Sequence, residues 1–287
     1  MSSWVEVADG VLLRRYESLD VNVCVVRGSD ELLLVDTRSC PREADEIRAD
    51  LRALRPATVR CVVNTHAHYD HSFGNQRFGP GSDLDLPVYG HRLLAKHLDD
   101  FERPRLTRWV AEGVDPVDNW RHVVVVAPSH VVNDRLELDV GGRTVELVHL
   151  GRGHTDNDLL IRVPDADVWL TGDVVEASGP PMYGSGCFPL EWPDTSAALI
   201  ARLTSGDVVV PGHGPAVERQ FVEHQHALLV EVADAIRELY AGDVPAEDAV
   251  GVVCGRLPLP DYSARTAVVS GFDHLRAASP GESSPGS

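Results

Sequence analysis

Three histidines and one aspartate lie within six residues of this sequence: His66, His68, Asp70 and His71 form the string H-x-H-x-D-H. The apolar run at residues 59–63 comes directly before the string and predicts a buried strand that ends in a loop carrying these side chains. Imidazole and carboxylate ligands together suit zinc, and also iron or manganese. The string therefore predicts part of a metal site, which other segments must complete.

Three further strand ends carry ligand-type side chains beside glycine, which lets the backbone approach closely. They are His154 in Gly-His-Thr after residues 145–150, Asp173 in Gly-Asp after 168–170, and His213 in Gly-His-Gly after 208–210. Loops at strand ends meet at one edge of a sheet, where α/β proteins build their sites. We expect these residues to converge with the H-x-H-x-D-H loop.

The periodicity of apolar residues predicts alternating strands and helices without an internal repeat. This order favours two related sheet halves with helices outside, a layered α/β arrangement. Residues 103–122 read as a helix followed by a loop that leans over a site. Strands are predicted at 5–7, 11–14, 21–26, 32–35, 59–63, 87–90, 123–126, 136–140, 144–150, 159–163, 168–170 and 208–210, and helices at 41–55, 91–101, 194–203, 218–240 and 264–276.

The 287 residues are 43% hydrophobic and 24% charged, which is typical of a soluble globular protein with a substantial core. We predict a single domain over residues 1–276, with a helical C-terminal part at about 216–276 and a disordered Ser/Pro/Gly-rich tail at 277–287. Neither a signal peptide nor a membrane-spanning run is apparent, so we expect a cytoplasmic protein that does not bind membranes. A homodimer is compatible with the sequence, which does not determine the oligomeric state.

The net charge of −18 argues against nucleic acid as a partner. The five cysteines are scattered without C-x-x-C spacing, so neither a disulfide framework nor a cysteine zinc finger is expected. Cys24 and Cys61 lie in β-branched runs typical of a core, whereas Cys187 lies in a loop that could line a site.

The ordered motifs H-x-H-x-D-H, G-H-T, G-D and G-H-G, with intervals of 83, 19 and 40 residues between their ligand-type side chains, resemble the metallo-β-lactamase superfamily. The resemblance runs from roughly residue 11 to 215. It implies an α/β fold of four layers, an αββα sandwich of two mixed β-sheets with helices on both outer faces. It also implies a dinuclear metal site at the open edge of the sheets.

Carried over residue by residue, the resemblance implies a site that holds two Zn²⁺ ions, with iron or manganese as alternatives. A metal-bridging hydroxide would attack a carbonyl of a small-molecule substrate, while Asp70 orients it or moves a proton. Thr155 and Asn64 would fix the loops. His66, His68 and His154 would bind the first metal, Asp70, His71 and His213 the second, and Asp173 would bridge them.

The resemblance leaves the substrate open among small esters, thioesters, lactones and amides. Many β-lactamases of this family carry a lysine that holds the drug carboxylate three residues after the position of Asp173; this chain has Glu176, which would repel that carboxylate. The residues after His71 and His154 also depart from the pattern of glyoxalase-II-like thioesterases. Two alternatives remain: a mononuclear-iron persulfide or sulfur dioxygenase, and a non-catalytic metal-binding member.

We expect residues 177–192 and 103–122 to form the substrate pocket. Tyr183 could donate a hydrogen bond to a developing oxyanion, or simply pack in the loop. Arg105 or Arg108 could bind an anionic group, although an exposed surface position is the simpler expectation. Six of the histidines outside the motifs are expected to be solvated; they are His91, His97, His122, His130, His149 and His274.

Overall fold

The N-terminal part of the chain forms the first half of a mixed β-sheet in the computed structural model, which describes residues 4–278. Its first four strands pair antiparallel in chain order, and the fourth to seventh pair parallel. The third strand is buried over six of its seven residues, as its continuous apolar run predicts. The strands are β1 Val5–Ala8, β2 Val11–Tyr16, β3 Val21–Arg27, β4 Glu31–Val35, β5 Thr58–Val63, β6 Val88–His91 and β7 His130–Val132.

The second half of the sheet contains six strands in the order β8-β9-β10-β11-β12, with β13 on the outer side of β12. Only β11 and β12 pair parallel. The two halves are joined where His213 of β12 pairs with Val21 of β3. The strands are β8 Arg135–Val140, β9 Arg143–Val148, β10 Leu160–Val163, β11 Val168–Glu176, β12 Val208–His213 and β13 Val217–Glu218.

Helices cover the outer faces of both halves. Between α3 and α4, residues Leu98–Glu102 form a π-helical turn. No helix among residues 4–278 has the length and apolar character needed to cross a bilayer. The helices are α1 Pro41–Leu51, α2 Tyr69–Ser72, α3 Leu94–His97, α4 Arg103–Glu112, α5 Val117–Arg121, α6 Trp192–Ile200, α7 Arg219–Ala241, α8 Ala246–Arg256 and α9 Asp261–Ala278.

Three apolar layers hold these elements together. The inner faces of the two sheet halves meet in one cluster, which includes Leu33 and Val63 from the first half and Ile161 from the second. Helix α1 packs Ile47 on the outer face of the first half, and α6 and α7 cover the outer face of the second half. The predicted αββα sandwich of two mixed sheets is therefore confirmed.

The C-terminal helices α7, α8 and α9 pack on one another and on the loop that carries Tyr183, Cys187 and Trp192. Helix α8 was not predicted, because Gly251 and several valines give it a low intrinsic helix propensity. Its burial of Ala249, Val250 and Val253 against α7 and α9 makes it helical. The single domain over residues 1–276 stays a prediction, which this shared cluster supports.

Other predictions also differ from the structure: residues 117–121, predicted as a loop, form α5, and β7 was not predicted. The strand predicted at 123–126 is wrong: side chains of a 3₁₀ turn bond this backbone, with Gln76 Oε1 accepting from Val124 N–H and Asn75 Nδ2 donating to Val126 O. The tail predicted from residue 277 begins too early, because α9 continues to Ala278. Residues 279–287 of that predicted tail lie outside the described residues.

Candidate metal centre

The H-x-H-x-D-H loop follows β5 and is fixed from inside by its neighbours. Asn64 donates through Nδ2 to the carbonyl oxygen of His71 (3.1 Å), and its amide pairs with that of Asn75 (2.8 and 3.1 Å). Ser72 Oγ donates to the carbonyl oxygens of Ala67 and His68. Asn64 thus has the loop-fixing role expected of it, and the ligand-type side chains are held in one arrangement.

Three of the predicted ligands, His66, His68 and His154, form what we call the three-histidine cluster. His68 Nδ1 lies 3.1 Å from His66 Nε2 and 2.8 Å from His154 Nε2. All three side chains are buried. His154 comes from a segment 86 residues away from His68, so the fold brings it to the other two histidines.

A second group, the Asp70 cluster, contains Asp70, His71 and His213. Nε2 of His213 lies 3.2 Å from Nε2 of His71 and 3.4 Å from Asp70 Oδ2. Asp173 lies between the two clusters: its Oδ2 is 3.5 Å from both His154 Nε2 and His213 Nε2, and its Oδ1 is 3.2 Å from His71 Nε2. The structure therefore brings all seven predicted ligands together, and Asp173 contacts both clusters.

Two glycines allow Asp173 to reach this position. The residue lies inside β11 rather than after it, where the register of β11 against β12 is irregular. Gly172 has a φ of +50°, and a Cβ there would lie 2.7 Å from Thr65 Cβ. A Cβ on Gly212 would lie 1.8 Å from Asp173 Oδ1. The glycines of the Gly-Asp and Gly-His-Gly motifs thus leave the space that the carboxylate occupies.

Carbonyl oxygens determine which nitrogen carries the proton in three of the five imidazoles. His68 Nε2 lies 3.1 Å from the oxygen of Ser185, His154 Nδ1 is 3.0 Å from that of Met182, and His213 Nδ1 is 2.8 Å from that of Leu19. A carbonyl oxygen only accepts, so each of these nitrogens donates N–H. The other ring nitrogen of each histidine, which faces the cluster, then carries a lone pair.

Asp36 sets the other two imidazoles. Its Oδ2 accepts from His71 Nδ1 (2.9 Å) and from the Thr65 hydroxyl (2.8 Å), and its Oδ1 accepts from Thr65 N–H (2.8 Å). Because the Thr65 hydroxyl donates to Asp36, its oxygen accepts from His66 Nδ1, 3.1 Å away. Asp36 was missed by the sequence analysis; the available signal was a lone carboxylate directly after β4, at the same kind of strand end as the ligands.

When all five imidazoles are neutral, as metal binding requires, five lone pairs and two carboxylates face a common space. Neutral nitrogens with lone pairs 2.8–3.2 Å apart repel one another unless a cation or proton lies between them. Asp173 Oδ1 accepts no hydrogen bond from the residues described. Both observations fit divalent metal ions, for which imidazole nitrogen and carboxylate oxygen are ordinary ligands.

The protonation tendencies of the two clusters differ. Burial lowers the pKa of His66 and His68 well below the usual range, and it lowers that of His154 to about 4. Burial also acts on His71 and His213, but the negative charges of Asp173 and Asp70 outweigh it and raise both pKa values. The three-histidine cluster is therefore neutral, whereas the Asp70 cluster attracts positive charge.

A cavity of about 560 Å³ opens onto both clusters. The loop at 177–192 supplies Met182, Tyr183 and Ser185 to its wall, as predicted, whereas the predicted segment 103–122 supplies Arg105 alone. Helix α9 adds Tyr262 and Thr266, which sequence reasoning did not place near the site. The remaining lining residues are Leu19, His68, Tyr69, Asp70, His154, Asp173, Glu176, Ser178, Gly184 and His213.

Tyr183 lines this cavity and also packs its ring 5.1 Å from that of Trp192. Its hydroxyl is buried without a partner among residues 4–278, and burial raises its pKa well above the usual range. Arg108 is exposed outside the cavity, whereas Cys187 is buried in the helical cluster and does not line it. Thr155 donates its hydroxyl to Asp158 (2.5 Å), which fixes the Gly-His-Thr loop as expected.

Two histidines expected to be solvated are buried instead. His91 is 2% exposed because its ring stacks on that of His149, 4.2 Å away. His97 is 3% exposed and packs edge-on against the ligand-type His68, with ring centroids 5.3 Å apart. A sequence does not distinguish these positions, because the covering residues come from other segments.

The model of the metallo-beta-lactamase superfamily matches residues 17–213, more than half of this chain and the whole stretch that holds the seven ligand-type residues. The chain belongs to this superfamily. The assignment supports a metal-dependent hydrolase.

Curated relatives within the superfamily carry different activities in their names. The acyl-coenzyme A thioesterase MBLAC2 of Bos taurus is 28% identical over 56% of this chain and 61% of its own length. The linear primary-alkylsulfatase of a Pseudomonas strain is 22% identical over 69% of this chain and 42% of its own. A type 2 metallo-beta-lactamase of Bacillus cereus is 27% identical over 74% of both. The chain spans less than two thirds of the first two relatives.

Solved metallo-β-lactamase structures share the fold. A metallo-beta-lactamase from Pontibacter korlensis has a TM-score of 0.62 and 19% identity, covering 80% of this chain and 99% of its own. The FIM-1 enzyme from Pseudomonas aeruginosa, solved in a mono-zinc form, has a TM-score of 0.61 and 17% identity, covering 81% and 96%.

Proposed function

We propose that this protein is a dinuclear zinc hydrolase that acts on a small ester, thioester, lactone or amide carbonyl. One observation carries the proposal: five imidazoles with fixed tautomers direct their lone pairs into one space that also holds two carboxylates. The three-histidine cluster would hold one ion, the Asp70 cluster the other, and Asp173 would contact both. Iron or manganese would also fit these ligands.

Metal ions bound there would supply Lewis acidity to a carbonyl oxygen and a water-derived nucleophile at neutral pH. The protein's own residues would supply orientation and proton transfer. Asp70 is 8% exposed, and the proximity of His71 and His213 outweighs burial and lowers the pKa of its carboxyl group. It is therefore ionised at neutral pH, as an acceptor for the proton of the attacking water must be.

Tyr183 would donate a hydrogen bond to the oxygen that becomes negative during the attack. Three features support this role: the side chain lines the cavity, its hydroxyl has no partner among the described residues, and its raised pKa keeps the proton on the oxygen. A buried hydroxyl without a hydrogen-bond partner is unfavourable unless a ligand supplies that partner. A bound carbonyl that reached this buried hydroxyl would supply the missing acceptor.

The cavity wall supports a small organic substrate rather than a polymer. Met182 and the aromatic rings of Tyr69, Tyr183 and Tyr262 form its apolar part and would exclude water from an acyl chain. The net charge of −18 disfavours a nucleic-acid backbone. A thioesterase among the relatives supports thioesters as the first substrates to test.

Metal analysis of protein purified without added metal tests the proposal directly. About two zinc ions per chain are expected, together with hydrolysis of members of a lactone and thioester panel. One iron per chain, with oxygen consumed on a persulfide, would instead indicate a dioxygenase. Bound metal without turnover of any panel member would indicate a non-catalytic relative.

Substitutions at the two clusters provide the second test. His66→Ala and Asp70→Ala should each abolish hydrolysis, because each removes a ligand and leaves its buried partners without compensation. Matched controls are His224→Ala on the exposed side of α7 and Asp118→Ala, whose side chain is 87% exposed. Hydrolysis that survives both cluster substitutions would contradict the mechanism.

A further inference from the structure

An acidic side chain and a basic side chain line the cavity on different sides of the metal centre. Glu176 lies on the side of the Asp70 cluster, where its carboxylate oxygen is within 4.8 Å of the ligand atoms of Asp173 and His213. Arg105 lies on the side of the three-histidine cluster and is the single lysine or arginine among the described residues that line the cavity. An anionic group on a substrate would therefore bind on the side of Arg105.

The guanidinium of Arg105 is held in position by its surroundings. Nη2 donates to Ser185 Oγ at 2.7 Å, and Nε lies 3.2 Å from Oε2 of Glu102. The group also lies over the rings of Tyr69 and Trp109, 5.7 and 5.5 Å from their centroids. These contacts preorganise the fork-shaped donor group, which lowers the entropy cost of binding an anion.

Part of this guanidinium remains available to a ligand. Its Nη1 makes no hydrogen bond within residues 4–278, and the side chain is 24% exposed. The neighbouring Ser185 hydroxyl lies 3.4 Å from Nε2 of His68, the ring nitrogen opposite the one that faces the cluster. The donor group is thus separated from a predicted metal ligand by a single side chain.

Glu102 is the alternative explanation for Arg105. This glutamate is 0% exposed, lies at the end of the π-helical turn and accepts from Ser185 Oγ at 3.2 Å through Oε1. A buried carboxylate needs a cationic partner, so Arg105 could serve only to compensate it. Compensation alone, however, would not require the guanidinium to line the cavity, and π-helical turns often occur at functional sites.

We propose that Arg105, held in place by Ser185, binds an anionic oxygen group, most simply a carboxylate, on the substrate of this enzyme. The substrate class is then an acyl ester or thioester whose acyl chain ends in a carboxylate and whose apolar part lies against the aromatic wall. This inference rests on the proposed hydrolase function. It places the anion on the opposite side of the centre from Glu176, the position at which many β-lactamases carry their carboxylate-binding lysine.

Two matched thioesters test this inference. One is the N-acetylcysteamine thioester of adipic acid, which retains a free carboxylate; the other replaces that carboxylate by a carboxamide. Thiol release from metal-loaded protein gives KM for each, and the readout is the ratio of the two values. The variants are Arg105→Gln, Arg105→Lys and, as the matched control on the same helix, Arg108→Gln.

In the unsubstituted protein, the carboxylate substrate should have a KM roughly 10- to 100-fold lower than the carboxamide, as expected for a charge-assisted hydrogen bond. R105Q should bring the ratio to within about twofold of one, R105K should be intermediate because it keeps charge without the planar fork, and R108Q should keep the original ratio. An unchanged ratio in R105Q, or a ratio of one in the unsubstituted protein, overturns the inference.

R105Q leaves Glu102 buried without its partner and could fail to fold. The double variant E102Q/R105Q restores a neutral pair and should lose the same discrimination between the two thioesters. If the double variant folds and keeps the discrimination, Arg105 only compensates Glu102 and the inference fails.

Calorimetry separates this inference from the proposed function. Adipate is titrated into metal-loaded protein without any turnover, and it should bind R105Q at least about tenfold more weakly than R108Q. If neither thioester nor any member of the lactone and thioester panel is hydrolysed, the proposed function fails, and this binding comparison alone decides the inference. Equal binding to both variants rejects the anion site.

Discussion

Asp36→Asn is the most informative single substitution at the metal centre, because this carboxylate sets the tautomer of an imidazole in each cluster. An asparagine has nearly the same shape but one donor group in place of an acceptor. If its amide nitrogen occupies the position of Oδ2, it faces the N–H of His71, whose Nδ1 lies 2.9 Å from the Asp36 oxygen in the unsubstituted protein. If the amide nitrogen occupies the position of Oδ1, it faces the N–H of Thr65, whose nitrogen lies 2.8 Å from the Asp36 oxygen in the unsubstituted protein.

Either orientation places two donors against each other in a buried position. To relieve the first clash, His71 must move its proton to Nε2, which removes the lone pair that faces Asp70 and Asp173. Loss of a carboxylate that orients a metal-ligating histidine typically costs 10- to 100-fold in metal affinity, roughly 1.4–2.8 kcal/mol. We expect a loss of this size at the Asp70 cluster, together with lower hydrolytic activity.

The assay is a zinc titration against a chromogenic chelator, read as two binding constants, with a thermal melt of metal-free protein alongside. Asp207→Asn is the matched control: Asp207 is 2% exposed and accepts from Arg162, Trp169 and Thr204 away from the centre. Both variants should melt at lower temperature, since each loses buried hydrogen bonds. Only D36N should lose zinc affinity. Unchanged zinc affinity in D36N would refute the tautomer argument.

Three further outcomes are expected. On acidification of the zinc-loaded protein, the Asp70 cluster should release its ion first, because the raised pKa values of His71 and His213 let protons compete there at higher pH than at the three-histidine cluster. Bound zinc, measured after dialysis at each pH, should fall from two ions to one before it falls further. Loss of both ions in a single step would argue against this order. Gly212→Ala should displace Asp173 and sharply reduce zinc binding, since its Cβ would lie 1.8 Å from Oδ1, whereas Gly206→Ala, with open space around it, should bind normally. Tyr183→Phe should lower kcat about tenfold or more with little change in KM or melting temperature; an unchanged kcat would leave Tyr183 a packing residue.

The sequence by itself determined the ligand-type residues and the fold class. H-x-H-x-D-H is a local pattern, and the other three motifs each combine a strand end with a glycine, so both the residue types and their positions are visible in the order of the letters. The superfamily resemblance supplied the αββα arrangement, which the packing of the two sheet halves confirms. The glycines that make room for Asp173 were also readable, since only a missing Cβ permits such an approach.

The tertiary structure decided what surrounds those ligands. Asp36 is one carboxylate among many in the sequence, and its role appears only when β4 is placed beside β5. Ser185 lies 117 residues from His68 in the chain, yet its carbonyl fixes that ring and its hydroxyl accepts from Arg105. Local patterns encode strands, turns and ligand spacing, whereas burial, tautomers and the charge on each side of a cavity depend on which distant segments pack together. The sequence therefore determined the kind of chemistry, and the packing decided which group of a substrate can be held beside it.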